Sequence, residues 1–382
     1  MHFAGRRRDS RIIIMDSLTH VALGAVLGDA ILGKKIGNRA MVWGAIAGSL
    51  PDVDIILRPF EDDLSFLVHH RGLSHSILVA VPVAFVLAHL VAAWGRKTAE
   101  PMATHGAGPP PTAWHWTALF LAGILSHLFL DACTAFGTPL LMPWSDHRFA
   151  LNNLFVIDPL FTLPLAAAAV ACWRLGRDSR KRPILARAGL GCSGGYLAMT
   201  LILGHWVQGV FAGAIHDQGL ESRRLMAAPT PFNAVLWYCI SEGPQGYHVG
   251  YLSVFSPRRP IRFHYVPRNG DLLDGFNASP VVARLMWFSN GYYAVRRQGE
   301  NLVFDVLKFG MLTPEADDRP VAFSFVLRRG TDGAVSVENV ARPQNVRWGK
   351  LLAAIWQKIR GRDWTAASKE RPQRAETVFP AA

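Results

Sequence analysis

Acids and imidazoles crowd one stretch of this chain, LPDVDIILRPFEDDLSFLVHHRGLSHS, which runs from Leu50 to Ser76 between two apolar segments. It carries Asp52, Asp54, His69, His70, Arg71 and His75. Ionisable groups are costly at a bilayer edge, so several of them at one junction mark a site. Aspartate and histidine together form a ligand set that a borderline-hard divalent metal such as zinc accepts. Arg71 cannot ligate a metal, but its planar fork suits a phosphate or carboxylate. Further on, LSHLFLDACTAFGTP places His127 and Asp131 four residues apart, one above the other on a helix face. An H-x-x-x-D pair alone is a weak signal, since it recurs by chance. Its position at the end of an apolar span gives it weight.

The local chain has to bring these groups together. Asp52 and Asp54, one residue apart, cannot share a helix face. Pro51 disfavours a helical Leu50, so an irregular turn is expected there, from which both acids can approach a metal pair. Either Gly72 bends the chain between His70 and His75, or His75 begins the next helix with Ser74 as its N-cap. His20, in DSLTH, joins His70, His75 and His127 as a candidate ligand, and His69 is a supporting neighbour. His89, His105, His115, His205, His216, His248 and His264 read instead as interfacial or hydrogen-bonded side chains. Arg148 and Asp158, in DHRFALNNLFVIDPLF, are second-tier candidates.

The elements that must hold such a site are apolar. Half of the 382 residues are hydrophobic and only 18% are charged, a balance that points to a membrane protein with a soluble part. Apolar stretches at about 15–35, 41–57, 77–94, 114–130, 154–175 and 188–211 predict an α-helical membrane domain of about five to six spans, over 15–213. Residues 1–14, with Arg6, Arg7, Arg8 and Arg11, form an N-terminal extension, and Met15 is the expected first residue of the chain proper. Trp114 and Trp116 are expected at a membrane interface.

From about 214 to 382 the text changes to a soluble, mainly β domain. AVLWYCI, YHVGYLSVF, IRFHYV, GYYAVRRQ, NLVFDVLKF, VAFSFVLRR and AVSVENV read as strands separated by turn residues. NVRWGKLLAAIWQKIRGR reads as a basic helix whose apolar face packs on a core.

The net charge of +12 does not indicate nucleic acid, because the basic residues bunch between apolar segments rather than along one face. Loops 34–40, 95–113 and 174–187 hold them, which by the positive-inside rule makes those loops cytoplasmic. The His/Asp groups and the C-terminal domain then fall on the outer, periplasmic side of a bacterial inner membrane. Cys133, Cys172, Cys192 and Cys239 stand singly without a CxxC pair, so they are expected as small buried hydrophobes rather than a disulfide framework or thiolate site.

The pieces DSLTHVALG, LPDVD, HHRGLSHS and LSHLFLDACTAFGTPLLMPW, in this order across about residues 15–170, resemble those of the YdjM-like family of bacterial inner-membrane proteins, described as LexA-regulated, membrane-bound metal-dependent hydrolases. The family's His/Asp pattern is similar to that of zinc-dependent phospholipase C and the related single-strand-specific nucleases, which hold a zinc cluster among helices. The resemblance implies that His20, Asp52, His70, His75, His127 and Asp131 are metal ligands, with Asp54 as the second acid of PDxD.

The expectation is therefore a membrane-bound hydrolase with a polynuclear site of two or more divalent ions, zinc first, acting on a phosphoester or ester of lipid or envelope origin. Asp52 or Asp54 would serve as general base and Arg71 would position the anionic group. Two rivals use the same cluster: a metal-ion or proton transporter, and a non-catalytic envelope protein whose helices the metal stabilises.

Overall fold

The computed structural model describes residues 11–60, 64, 70–98, 110–276, 279–311, 321–330, 335–339 and 348–361. His69, His105 and most of the Gly/Pro-rich loop expected after residue 94 lie outside these.

Six helices build the N-terminal part: α1 (Arg11–Ile36), α2 (Asn38–Ser49), α3 (Ile77–Thr98), α4 (Ala113–Ala132), α5 (Pro159–Arg174) and α6 (Lys181–Asp217). Among the described residues three are long and apolar enough to cross a membrane: Ile77–Gly95, Ala113–Ala132 and Lys181–Asp217. That is fewer than the five to six spans read from hydropathy. The apolar stretch at 41–57 splits between α2, 12 residues long, and a 3₁₀ segment, Pro51–Phe60. Twelve residues rise only about 18 Å, short of a hydrocarbon core of about 30 Å. The 16 residues of α5 also fall short.

Helix α1 directs its small residues at α2 rather than at lipid. A Cβ on Gly44 would stand 2.1 Å from the Gly24 carbonyl oxygen, and one on Gly24 2.3 Å from that of Gly44, so the two backbones meet where side chains would be. Beside this contact Asp29 is buried and accepts from Arg182 Nε of α6 at 2.7 Å.

Basic residues mark one end of this bundle. Asn38, between Lys35 and Arg39, donates from Nδ2 to the Trp173 carbonyl at 2.9 Å, which sets the α1–α2 turn against the α5–α6 turn with Arg174 and Arg177. The acid and imidazole groups lie at the opposite helix ends, before α3 and at the close of α4. Trp114 is exposed as an interface residue should be, whereas Trp116 is buried edge-on to Trp43.

Helix α6 is 37 residues long, more than a bilayer requires, and its last third docks on the C-terminal part: Val207 and Phe211 pack with Trp237, Cys239 and Leu252. Two four-stranded antiparallel sheets follow, in the orders β1-β2-β3-β4 and β5-β6-β7-β8. Their strands are β1 (Arg224–Pro229), β2 (Leu236–Glu242), β3 (Gly246–Ser253), β4 (His264–Pro267), β5 (Tyr293–Gln298), β6 (Asn301–Met311), β7 (Val321–Arg329) and β8 (Val335–Asn339). Each of the seven runs read as strands from sequence overlaps one. The sheets share a core in which Tyr238, Ile240 and Val249 meet Ala294, Leu307 and Met311. Helix α7 (Pro280–Ser289) joins them, and Ile355 and Ile359 of the basic helix α8 (Trp348–Ile359) pack on Leu236, as expected. Cys133, Cys172 and Cys239 are buried; Cys192, against expectation, is exposed on α6.

Candidate metal centre

Close packing of small residues carries the ligands to one point. A Cβ on Gly48 of α2 would stand 2.7 Å from the carbonyl oxygen of His20 on α1. One on Gly123 of α4 would meet Ala47 Cβ at 2.6 Å and Gly48 N at 3.1 Å. Three helices therefore converge at Gly48, whose own carbonyl accepts from His127 Nδ1 at 2.6 Å. His20 and His127 stack there with ring centroids 3.7 Å apart.

After α2 the chain tightens into the 3₁₀ segment that Pro51 begins, and Asp52 and Asp54 both turn toward the same place. The return strand is bent at Arg71, whose φ of 63° is left-handed for a non-glycine residue. Such a conformation is held only where its surroundings fix it. Here the fixing group is Asp54: Oδ2 accepts from Arg71 N at 3.1 Å and from Ser74 Oγ at 3.0 Å, and Oδ1 lies 3.1 Å from His70 Nδ1. Neither alternative read from the sequence, a bend at Gly72 or a cap at Ser74, is what forms. Instead Arg71 makes the turn, and Ser76 Oγ accepts from Leu78 N at 3.2 Å at the start of α3. Ser74 is thereby free to face the site.

Four atoms define the centre: His75 Nε2, His127 Nε2, Asp52 Oδ1 and Asp131 Oδ2. The imidazole nitrogens are 3.2 Å apart. Asp52 Oδ1 is 3.5 Å from each, and Asp131 Oδ2 is 3.3 Å from His75 and 3.5 Å from His127. Atoms bonded to one zinc at about 2.0–2.1 Å in a tetrahedron stand about 3.3–3.4 Å from each other, so these separations suit a single ion. Asp131 Oδ2 is buried and accepts no hydrogen bond among the described residues. Two further overlapping sets have ligand atoms within 4.8 Å of one another, His20 with His127 and Asp131, and Asp52 with Asp54 and His70. Asp52, His75 and His127 thus form one set of three ligand atoms within 4.8 Å that suits an ion, Asp131 Oδ2 lies within 3.5 Å of both its imidazoles, and the overlapping sets leave room in the chemistry for a second ion.

The supporting hydrogen bonds fix which nitrogen faces inward. A carbonyl can only accept, so His127 Nδ1 carries its proton toward Gly48 and Nε2 presents a lone pair. Ser74 Oγ donates to Asp54 and accepts from His75 Nδ1 at 2.9 Å, which leaves His75 Nε2 in the same state. With no ion between them the imidazoles can instead be protonated at Nε2, and then, against the opposing effect of burial, His127 and His75 hold the Asp52 carboxyl well below the usual carboxylate range. Asp54 is lowered too: burial acts against it, and His70 and Ser74 prevail. Arg71 closes one side, with Nη2 3.0 Å from Asp131 Oδ1 and Nη1 donating to Thr134 Oγ1 at 3.1 Å.

All eight first-choice residues, His20, Asp52, Asp54, His70, Arg71, His75, His127 and Asp131, are thus brought together. Asp158 is not among them. It caps α5, accepting from Leu160 N at 2.9 Å and Phe161 N at 3.3 Å, and from Tyr196 Oη at 2.8 Å. The sequence FVIDPLF carried that cap signal, an aspartate directly ahead of a proline at the first helical position. Arg148 lies beyond Arg71, against Phe136. His89 and His115 are hydrogen-bonded helix side chains, to the Phe85 carbonyl and the Thr112 cap. Sequence reasoning missed Gly48, Ser74 as a support, and Thr134. Small-residue spacing, Gly24, Gly28, Gly44 and Gly48 at every fourth position of two adjoining segments, was the available sign for the first.

The family model for the YdjM inner membrane protein matches residues 15–207, which includes every residue of the centre. The chain is 29% identical over 175 residues to an uncharacterized protein of Bacillus subtilis (strain 168), YfhP, covering 42% of this chain and 47% of that one. It is 32% identical over 135 residues to the inner membrane protein YbcI of Escherichia coli (strain K12), covering 35% of this chain and 69% of YbcI. The match thus spans about half the length of YfhP. No solved structure matches the chain significantly.

Proposed function

Because this chain belongs to the YdjM inner membrane protein family, we propose that it is a membrane-bound, metal-dependent hydrolase that cleaves a phosphoester or carboxylic ester of lipid or envelope origin. The observation that carries this reading is the pair of inward-facing imidazole nitrogens, 3.2 Å apart, flanked by two carboxylates. His75, His127, Asp52 and Asp131 would hold one ion, zinc by donor type and spacing; His20 and the Asp54–His70 pair extend the set toward a second. A divalent ion there supplies Lewis-acid charge and lowers the pKa of water toward neutrality.

The chain's own residues do the rest. Asp52, whose Oδ1 lies 3.5 Å from His75 and His127 Nε2, would stand beside an ion held there and accept a proton from attacking water, and Asp54 holds the turn that aims His70, Arg71 and His75. Arg71 orients the anionic group of the substrate. The Lys and Arg residues at the far helix ends favour an outer, periplasmic placement for the centre and for the β sheets packed beside it.

A conduction path would line both halves of the bilayer, whereas these ligands gather at one end of the bundle, which favours hydrolysis over transport. The test is a panel of phosphodiesters, phospholipids and carboxylic esters given to detergent-purified full-length protein with zinc or manganese. Turnover that needs the metal and disappears in His127→Ala is the expected result. Metal uptake into proteoliposomes that His127→Ala abolishes, with no ester cleaved, would replace this reading by transport.

A further inference from the structure

The ring of Phe136, five residues beyond Asp131, is surrounded by three cations. Arg71 Cζ is 4.8 Å from its centroid, Arg148 Cζ 4.9 Å and Lys308 Nζ 5.6 Å. They come from distant parts of the chain: the His/Asp stretch, the connection between α4 and α5, and strand β6 of the second sheet. Lys308 is 3% exposed, and its Nζ donates to the Phe136 carbonyl at 3.4 Å. Arg148 donates from Nη1 to the same carbonyl at 3.3 Å, while its Nε and Nη2 are buried without a hydrogen-bond partner among the described residues.

Aromatic faces line the remainder. Arg148 Cζ lies 4.2 Å over the Trp287 ring, and Lys308 Nζ is 5.0 Å from the Phe288 centroid and 4.9 Å from that of Phe309.

Such a cluster is expensive to keep. Aromatic faces offset only part of the cost of taking ammonium and guanidinium groups out of water, and like charges this close repel. Burial, then Arg148 and Arg71, push Lys308 well below the usual lysine range; burial, then Arg71, bring Arg148 down to about 9. Among the described residues the carboxylate paired with a cation of this cluster is Asp131, 3.0 Å from Arg71. Apolar residues would pack here with less strain, so the arrangement makes sense for a chain that receives an anion. Donor forks and an ammonium converging from three sides suit the several oxygens of a phosphate better than the two of a carboxylate.

We propose that Arg71, Arg148 and Lys308 form the binding site for the phosphate group of a phosphoester, held against the Asp131 edge of the candidate metal centre. This deepens the hydrolase reading and rests on it for the chemistry performed, though the binding itself does not require the ion. It makes the second β sheet, through Lys308, part of the substrate site rather than an appendage. It also selects the phosphoester over the carboxylic ester.

The experiment is calorimetric titration of the full chain in a phosphate-free detergent, chelated or zinc-loaded, with inorganic phosphate and with dihexanoyl phosphatidic acid. Saturable binding by the chelated protein is expected, weakened about tenfold or more in Lys308→Met and in Arg148→Gln, and largely kept in Lys308→Arg. Zinc content should be the same in all three variants. Binding of both probes that is unchanged in Lys308→Met and Arg148→Gln, or no binding at all, would overturn the proposal. A preference for phosphatidic acid over inorganic phosphate would assign the site to a lipid headgroup; equal affinities would assign it to a soluble phosphoester. Phosphate binding by a protein that holds no metal would leave this site standing and remove the hydrolase reading. Metal without phosphate binding would do the reverse.

Discussion

His75 Nε2 and His127 Nε2 face each other at 3.2 Å, and the second nitrogen of each ring is already engaged, with Ser74 Oγ and with the Gly48 carbonyl. Two lone pairs pointed at one spot repel unless a positive charge lies between them. Asp52 Oδ1 and Asp131 Oδ2 face the same spot. An ion that binds the folded chain and not the unfolded one stabilises it by mass action, by about 2.7 kcal/mol at a hundredfold excess over Kd. Added zinc should therefore raise the melting temperature and a chelator lower it. In His127→Ala the two curves should coincide, as read by thermal melting in detergent.

The approach of α1 to α2 makes a second prediction. With the Gly24 carbonyl oxygen 2.1 Å from where a Gly44 Cβ would be, Gly44→Ala must push the helices apart. Overpacking of this kind costs about 1–3 kcal/mol. Gly48→Ala, which meets the His20 carbonyl, should in addition weaken zinc binding, because it displaces both His20 and the carbonyl that holds His127. Gly191, with nothing within 4 Å of its Cβ position, is the control: Gly191→Ala should melt no lower than the wild type.

Asp29 and Arg182 form a buried pair at the basic end, with 2.7 Å between Asp29 Oδ1 and Arg182 Nε. Arg182 also donates from Nη1 to Asn38 Oδ1 at 2.8 Å and to the Leu175 carbonyl at 3.0 Å. Removing one partner strands the other charge, at about 3–5 kcal/mol, while replacing both is close to neutral. Asp29→Leu should therefore melt far lower than the Asp29→Leu/Arg182→Leu double variant. Zinc content should not change in the double variant, since the pair is remote from the centre.

Lys308 gives the pH dependence. Its pKa is lowered in the folded chain by burial and by Arg148 and Arg71. The unfolded state then binds more protons, so stability rises with pH as the solution approaches the ordinary lysine range of about 10.4, and the penalty is larger at neutral pH. Lys308→Met removes that penalty. Its melting temperature should exceed the wild type's at pH 7, with the gap closing toward pH 10. A gap that is constant across this range would mean that Lys308 carries no shifted charge.

What was legible in the sequence follows from which signals are local. All the candidate ligands could be named because acids and imidazoles in apolar surroundings are conspicuous one by one, and all but His20, which lies within α1, sit near an element end that Pro51, Ser76 or the close of α4 defines. The strands were equally visible, as in NLVFDVLKF for β6, because aromatic and β-branched runs between turn residues are a local pattern. Strand β1, RLMAAP, lacked that pattern and was missed; it forms through its pairing with β2. Span counting failed for α2 because hydropathy cannot tell a helix facing lipid from one buried against α1. Lys308 was invisible because its significance lies in long-range contacts to Phe136, Arg71 and Arg148 that no sequence window contains.

Elemental analysis of the full chain, purified from native membrane without added metal, bears most directly on the account. At least one zinc, manganese or iron per chain is expected, falling to background in the His75→Ala/His127→Ala double variant. Equal trace amounts in wild type and double variant, at well under one ion per chain, would contradict it.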